Sequence, residues 1–502
     1  MSDMYSPASS IHEEERFSPE RQSQEKRLVR KLDIRVLPAI FIVFVMNYVN
    51  RTAITAARLK GLEHDLHLTG KLRVEYSLSD AQRATDIQYN VVLSILFVTL
   101  SLAQPPSNML LNKIKRPSIY IGSCVVIWGD TQATTNFGGI LVCRLFIGLP
   151  EASFYPGAVY LLSCWYTKRE LAFRAAILFS GLDFANAFGA LESWLGWKGS
   201  WGSLDGAGAS LLFILEGAAT ICLGFLVMWL LPDFPRNTRW ISDKESRLAQ
   251  ARLAEDAGEA DQDTMSDSYL QGLKLAVADP LVWLFSIVML SQHIGRSVGQ
   301  FFPTFAKTLG YSTTITLLLT APPWIVAAII CLVSAWHGDK TGERFFHVSV
   351  WIWAMMVGFI ISLCTMNVGA RYLSMFLMAI GDAGCTMAMV WTSNSLPRPP
   401  AKRAVAIGIV NGFGNLGTLI GSYMWKNKWA PRYAQSSEIS LAALALSSVF
   451  TIIIRQRLIN MNRKLDTDES MISEERVKKA AHLEGITIQQ AMNKRKGYRY
   501  LY

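Results

Sequence analysis

Long apolar segments recur along this chain, and they limit what it can fold into. A helix of roughly 18 or more apolar residues crosses about 30 Å of hydrocarbon. Apolar residue types make up 51% of the 502 residues and charged types only 18%, which is too apolar for a soluble multidomain protein. The sequence therefore predicts an all-α multi-pass membrane protein. The expected helices form two sets of six, at 36–56, 89–111, 118–135, 138–164, 174–195 and 209–231, and at 281–302, 313–336, 346–366, 371–396, 403–425 and 438–457.

Polar segments separate the two sets and predict the domain organisation. The segment that opens with "LPDFPRN" is rich in acids and bases, so it is expected to be a linker and not a domain. The predicted parts are a cytoplasmic N-terminal tail at 1–35, a first half at 36–231, a cytoplasmic linker at 232–280, a second half at 281–457 and a cytoplasmic C-terminal tail at 458–502.

The connection between the first two helices contains an unusual stretch, "KLRVEYSLSDAQRATD" at 71–86. It is polar, so we expect it to lengthen the loop on the outer side of the membrane. A true insertion and an error in the gene sequence both account for it, and the sequence leaves the choice open.

The net charge of +10 indicates topology and does not indicate a nucleic-acid partner, because the basic residues lie in short connections between apolar segments. Lys113, Arg116, Lys168 and Arg169 follow the second and fourth helices. Loops rich in Lys and Arg stay in the cytoplasm, so both termini and the linker are expected there. The first residues contain no apolar segment typical of a cleavable signal peptide, so insertion is expected to begin at the first membrane helix.

Several classes of protein are not favoured by the sequence. It contains no phosphate-binding Walker loop, no dinucleotide fingerprint and no ordered set of nucleophile, base and acid. Seven cysteines lie in apolar segments without a metal-binding or disulfide spacing. We therefore expect neither an enzyme nor an ATP-driven pump, and no cofactor or metal.

A series of short strings resembles one transporter family. "HGDKTGERF" at 337–345 resembles the cytoplasmic Gly-Asp-Arg-x-Gly-Arg motif of the major facilitator superfamily. More specific strings, in order between about residues 28 and 465, resemble the anion:cation symporter family and its fungal allantoate, pantothenate and nicotinate permease group. They include "NYVNRTAITAARLKGLEHDLHLTG", "QPPSNMLL", "CRLFIGLPEASFYPGAVYLLSCWYTKRE", "LLTAPPW" and "KRAVAIGIVNGFGNLGTLIGSY".

The resemblance implies two six-helix bundles around a site near the middle of the bilayer. It also implies a monomer in the plasma membrane that takes up a small organic anion, such as a vitamin or ureide carboxylate, together with a proton. Two departures bear on that proton: Asn50 stands where the family has an acid, and Gln104 replaces the family's Glu. The family's "GWRW" is also replaced by "GAGASL".

Charged residues within the apolar segments are the candidates for transport chemistry. A charge at the bilayer centre costs at least about 2.5 to 3.5 kcal/mol, so it needs a partner or a wet cavity. Arg51 is the first candidate for binding a carboxylate, because its guanidinium is planar and keeps its charge. The alternative is that Arg51 extends to the membrane interface as its helix ends. The resemblance adds Tyr48 and Asn50 of the same segment to the substrate-binding set.

Glu151 is the first candidate for carrying the proton, because burial can bring a glutamate into the physiological range of pH. Arg144 precedes it by two helical turns and lies on the same predicted face. The alternative is a static ion pair of Glu151 with Arg144 or with Arg51 that only locks the bundle.

The second half supplies its own candidates. His293 and Arg296 are three residues apart and can share a face toward the cavity. The alternative is that both residues only pack against neighbouring helices and have no role in transport. Asp382 is a second candidate for proton coupling, and Asn411 and Asn415 are candidates for contacting substrate. Structural or gating roles are expected for Arg144, Asp183, Asp339, Arg344, Gly417 and Gly421, the two glycines because their spacing allows close helix packing.

The sequence thus predicts a secondary transporter of a small organic anion, with the lipid bilayer, the anion and the proton as its partners. Export of a secondary metabolite and facilitated diffusion without a proton remain open, because Asn50 and Gln104 are neutral. A nutrient receptor that signals without transport is a further alternative.

Overall fold

The computed structural model describes residues 19–58, 78–129, 137–194, 207–257, 269–396, 399–470 and 499–502. Within these ranges the chain forms helices and no β-strand. The first half contains α1 (Pro19–Arg58), α2 (Leu78–Lys113), α3 (Pro117–Gly129), α4 (Phe137–Glu151), α5 (Phe154–Ser163), α6 (Leu171–Trp194) and α7 (Ala207–Leu230). The linker contains α8 (Asp243–Ala257) and α9 (Tyr269–Ala278). The second half contains α10 (Pro280–Arg296), α11 (Phe302–Lys307), α12 (Thr313–Thr341), α13 (Phe345–Cys364), α14 (Val368–Ala379), α15 (Asp382–Ser395), α16 (Pro400–Ser422) and α17 (Ala434–Ser470).

The predicted all-α membrane fold is confirmed. Nine helical segments among the described residues are long and apolar enough to span a membrane, and two shorter apolar helices, Pro117–Gly129 and Gly217–Leu230, accompany them. The helix α2 occupies the place of the second predicted span. Together these twelve segments follow the predicted order of six and six.

Three helices extend more than ten residues beyond their predicted bounds. The first begins at Pro19, inside the predicted tail, and α17 continues to Ser470. The second begins at Leu78, so residues 78–86 of the unusual stretch continue a helix, whereas residues 71–77 lie outside the described part. The physical reason is that hydropathy marks where a segment leaves hydrocarbon, but polar residues such as Gln, Glu, Arg and Lys continue a helix readily in water.

Two segments predicted as single helices are broken. The segment predicted at 138–164 divides into α4 and α5, and the one predicted at 371–396 divides into α14 and α15. In the first, Pro156 has no N–H to donate to the carbonyl of Ala152, and the turn between the helices falls there. In the second, the break includes Gly381, a weak helix former.

The two halves meet along two helix pairs, α2 with α16 and α6 with α12. Glycines allow α16 to lie close to helices on both sides. A Cβ at Gly412 would stand 2.8 Å from the carbonyl oxygen of Ser101 on α2, and one at Gly417 would stand 2.3 Å from that of Leu290 on α10. A Cβ at Gly421 would stand 2.2 Å from the Cβ of Ser297, the residue that follows α10. The helix α16 therefore fits between α2 and α10 only because these positions lack side chains.

This close fit gives a prediction for stability. We expect Gly417→Ala to lower the free energy of unfolding by about 1 to 3 kcal/mol, because the new methyl group must displace the α10 backbone. Thermal unfolding of the purified protein in detergent measures the effect. The matched control is Gly189→Ala on α6, where an added Cβ meets no atom within 4 Å. Equal midpoints for the two variants would contradict the prediction.

Candidate functional site

A cavity lies between the two halves, with about 450 Å³ of space free of protein atoms when the open solvent at its mouth is included. Residues of α1, α2, α4, α5 and α6 line it on one side, and residues of α10 and α16 line it on the other. The lining residues are Phe44, Asn47, Tyr48, Arg51, Leu100, Gln104, Glu151, Phe154, Tyr155, Phe179, His293, Arg296, Asn411 and Asn415.

Arg51 and Glu151 form an ion pair in this cavity. Arg51 Nε donates to Glu151 Oε1 over 2.5 Å, and the Asn47 amide donates to the same oxygen. The Arg51 guanidinium also lies 4.9 Å from the centre of the Tyr48 ring, a cation–π distance. In this structure Arg51 therefore turns into the cavity and does not extend to the membrane interface. Glu151 Oε2 accepts no hydrogen bond from the described residues.

The local sequence explains how this cluster forms. Phe44, Asn47, Tyr48 and Arg51 follow the spacing i, i+3, i+4 and i+7, which places them on one face of α1. Glu151 is the last residue of α4, immediately before the break that precedes Phe154. A broken helix inside a membrane protein can thus place an acid at a helix end beside a cavity.

Across the cavity, Arg296 forms a second ion pair. Its Nε lies 3.0 Å from Asp382 Oδ1, and its terminal nitrogen donates to Asp382 Oδ2 over 3.1 Å. This two-pronged contact is the geometry that a guanidinium prefers with a carboxylate. Asp382 itself is the first residue of α15 and is 2% exposed, so it lies behind Arg296 and does not line the cavity. His293 faces the cavity with Nδ1 2.9 Å from the carbonyl oxygen of Met289.

Aromatic rings form the wall between the two arginines. Phe44 lies 5.0 Å from Tyr48 edge to face, and 5.5 Å from Tyr155 in a stacked arrangement. Phe179 packs against Tyr155 at 5.9 Å and under the guanidinium of Arg296 at 5.3 Å. The cavity therefore combines two guanidinium groups with a largely apolar, aromatic surface.

The sequence candidates are only partly brought together. Tyr48, Arg51, Glu151, His293, Arg296, Asn411 and Asn415 line one cavity. Arg144 and Asp183 are buried but do not line the cavity. Gly417 and Gly421 lie against α10 and the residue that follows it, and the side chain of Asn50 falls outside the described part of the structure. Of the ion pairs considered for Glu151, the one with Arg51 is present.

Sequence reasoning missed Asn47 and, apart from Tyr48, the aromatic wall, and it treated Gln104 only as a departure from the family. Gln104 lines the cavity and is 2% exposed, and its Oε1 has no donor among the described residues. Asn47 precedes Arg51 by four residues, so helical spacing from Arg51 was a signal that could have found it.

A second charged cluster joins the halves at the end of the molecule that holds the linker. The Asp339 carboxylate accepts hydrogen bonds from the backbone N–H groups of Ala172 and Phe173, at 3.1 and 2.8 Å, in the first turn of α6. Arg344 donates to Asp339 over 2.9 Å and to the carbonyl oxygen of Lys168 over 2.6 Å. Burial lowers the pKa of the Arg344 guanidinium, and the Asp339 carboxylate opposes that effect.

Comparisons with known proteins identify the family and the fold. The sequence description of the Major Facilitator Superfamily matches residues 40–422. The chain is 30% identical to the MFS-type transporter cnsO of Penicillium expansum over 489 residues, which cover 91% of this chain and 88% of that protein. It is 27% identical to a putative tartrate transporter of Agrobacterium vitis over 441 residues, covering 86% and 95%. The structure of the proton:xylose symporter XylE has a TM-score of 0.63 at 14% identity, covering 84% of this chain and 95% of that one, which shows a shared fold.

The Arg51–Glu151 pair gives a prediction that needs no substrate. We expect Glu151→Gln to lower the free energy of unfolding by about 3 kcal/mol, because it leaves Arg51 without its counter-charge. The expected loss is at the low end of the range for breaking a buried ion pair, since the Arg51 side chain is 19% exposed. The double variant Arg51→Gln, Glu151→Gln should recover part of the loss, because no unpaired charge remains.

Thermal unfolding in detergent measures both effects. The control is Glu255→Gln, which removes the surface pair with Arg21 and should cost no more than about 1 kcal/mol. A double variant that is less stable than Glu151→Gln alone would show that the pair is not the source of the loss.

Proposed function

The chain belongs to the major facilitator superfamily and is a membrane transporter; on that premise, we propose that it carries a small organic anion across the membrane together with a proton. The observation that carries the proposal is the pair of arginines in one cavity. Arg51 belongs to the first half and Arg296 to the second, and both line the space between the halves.

The chemistry of the lining supports an anion of modest size. Each guanidinium offers a planar fork that matches a carboxylate, and the two forks approach the cavity from opposite sides. Only one carboxylate, Glu151, lines the cavity among the described residues, and Arg51 already pairs with it. Asn411 and Asn415 add neutral hydrogen-bonding groups from α16, and Tyr48 and His293 border the same space.

Two further observations support a carboxylate as the substrate. A relative that covers most of the chain is named as a putative tartrate transporter. The sequence strings described above resemble the permease group for allantoate, pantothenate and nicotinate, all of which are carboxylates. A vitamin or ureide acid is therefore the proposed substrate class, and the plasma membrane, with the chain as a monomer, is the proposed setting.

Proton coupling rests on acids that lie beside the arginines. Glu151 and Asp382 each bind one cavity arginine, so an incoming anion competes with each of them for a guanidinium. An acid that loses its counter-charge in a low-dielectric setting gains affinity for a proton. Binding of the anion and of the proton therefore favour each other.

Movement of the two halves would expose the cavity to each side in turn. The contacts of Asp339 and Arg344 with the first half hold one end together and must break when that end opens. Arg144, Asp183 and the close glycine contacts of α16 are proposed to support this movement as structural or gating groups.

A transporter without proton coupling is the second candidate. It is favoured by Gln104, which is buried in the cavity where the family has an acid, because an amide binds no proton in this range of pH. Uptake by cells that express the protein separates the two. Accumulation of the anion above its outside concentration, abolished by a protonophore, supports coupling; equilibration alone supports a facilitator.

We expect Arg51→Gln to weaken binding of the transported anion. Loss of a hydrogen bond to a charged group costs about 1.5 to 3 kcal/mol, which corresponds to a roughly 10- to 150-fold rise in KM. Uptake of radiolabelled tartrate, nicotinate, pantothenate and allantoate by a strain that lacks its own permeases is the measurement. The matched control is Arg116→Gln, at an exposed position outside the cavity. An unchanged KM in Arg51→Gln would rule out this arginine as the anion site.

A further inference from the structure

We propose that Asp183 and Asp382 form a carboxyl pair that holds the transported proton between the two halves. The inference rests on the proposed function and makes it specific, because it assigns the proton to this pair and not to Glu151. Asp183 belongs to α6 in the first half, and Asp382 begins α15 in the second half.

Asp183 is fully buried and has no hydrogen-bond donor. It is 0% exposed, and neither of its carboxylate oxygens accepts a hydrogen bond from the described residues. Its carboxyl group lies beside that of Asp382, within hydrogen-bonding contact if one of the two carries a proton. An ionised carboxylate in this position would be desolvated, unpaired and next to a second negative charge, which is the least favourable setting for its charge.

Asp382 is in the opposite situation. Arg296 binds it through two nitrogens at 3.0 and 3.1 Å, and it lies in the first turn of α15, where the helix dipole favours negative charge. The asymmetry places the proton on an Asp183 oxygen, from which it is donated to an oxygen of Asp382. Protonation thus supplies a hydrogen-bond donor between the two carboxyl groups. The two groups nevertheless titrate as one unit.

Among the titratable neighbours of the pair in the described part of the chain, Arg296 carries the permanent charge. Arg296 faces the pair from α10, and the neutral thiols of Cys331 on α12 and Cys385 on α15 are its other titratable neighbours. Tyr155 of α5 and Tyr48 of α1 face Arg296 from the cavity side. No second cation among these neighbours can neutralise the second carboxylate, so a proton must do so.

Glu151 differs from Asp183 because hydrogen-bond donors reach its carboxylate. Two donors, Arg51 Nε and the Asn47 amide, reach Glu151 Oε1, and Arg51 carries a full positive charge. These contacts stabilise the ionised form. The ionised form of Asp183 has no such support.

The charge balance connects the pair to transport. Arg51 and Arg296 carry two positive charges, and Glu151, Asp382 and Asp183 carry three negative charges when ionised. One shared proton therefore makes the group neutral. Without that proton the group is negative and repels a monoanion, so a monoanion that competes for Arg296 binds while the shared proton is present. The Asp183 O–H still donates to Asp382 when the guanidinium turns to the anion. When the proton enters, an O–H bond of a hydronium ion in the cavity breaks and one to Asp183 forms, and this one proton accompanies each monoanion.

Infrared spectroscopy of the full-length protein in lipid vesicles tests the pair without a substrate. We expect the wild-type protein near neutral pH to show the C=O stretch of a protonated carboxylic acid, shifted in D₂O and by ¹³C-labelled aspartate. The band should disappear in Asp183→Asn. It should persist in Glu151→Gln and in Asp233→Asn, a matched control in which a buried aspartate already accepts from the backbone and hydroxyl of Ser118. Absence of the labelled band in the wild-type protein, which requires no variant to fold, would overturn the proposal, as would its persistence in Asp183→Asn.

Uptake into vesicles separates this inference from the proposed function. The probe is a radiolabelled monoanion, nicotinate or pantothenate. One-to-one coupling with a proton carries no net charge, so each unit of imposed pH difference, a tenfold ratio of proton activities, sustains about a tenfold accumulation of the probe. Asp183→Asn should lose this accumulation but still exchange the probe across the membrane, and Glu151→Gln should accumulate it more slowly yet still depend on the gradient. Accumulation by Asp183→Asn at the wild-type level contradicts the carboxyl pair. Failure of the wild-type protein to move any organic anion contradicts the proposed function, while the infrared result still decides whether the pair holds a proton.

Discussion

The cost of an unpaired charge in hydrocarbon is the constraint on which the rest of this structure depends. The chain meets it by pairing each cavity arginine with an acid from its own half, Arg51 with Glu151 and Arg296 with Asp382. Because neither pair crosses between the halves, both pairs can stay intact when the halves separate. Asp183 is the exception, since it faces an acid of the opposite half and has no cation of its own.

The helix breaks explain how the acids reach their places. Glu151 ends α4, and Asp382 begins α15, and these breaks fall in the fourth span of the first half and the fourth span of the second. Equivalent breaks in the two halves are typical of transporters built from repeated units. A helix end inside the membrane offers unpaired backbone groups and a local dipole, which a continuous helix would not provide.

Much of the fold could be predicted from the sequence, because long apolar segments have few alternatives in a bilayer. The all-α class and the order of the helices followed from hydropathy alone, and the family followed from short strings such as that at 337–345. The ends of α1, α2 and α17 did not, since a helix continues past the hydrocarbon wherever its residues permit. The breaks at 152–153 and 380–381 were also missed, because a proline or a glycine is compatible with a kinked helix as well as with a break.

The site was predictable only where charge marked it. Arg51, His293 and Arg296 were identified because charged or titratable groups are rare in hydrocarbon, and all three line the cavity. The sequence did not mark Phe44, Tyr155 and Phe179 of the aromatic wall, since such residues are also the ordinary content of a membrane core. The neighbourhood of Asp183 and Asp382 could not be found either, because the two residues lie 199 positions apart and only the packing of α6 against α15 joins them.

The contact of Asp339 with the start of α6 has a mechanical consequence. Asp339 holds the amide groups of Ala172 and Phe173, and Asp183 lies eleven residues further along the same helix, about 16 Å away at the helical rise per residue. A helix of this length moves as a rod, so releasing its first turn from Asp339 would also displace Asp183 from Asp382. The affinity of the carboxyl pair for a proton would then depend on whether the first turn of α6 is bound to Asp339 or released from it.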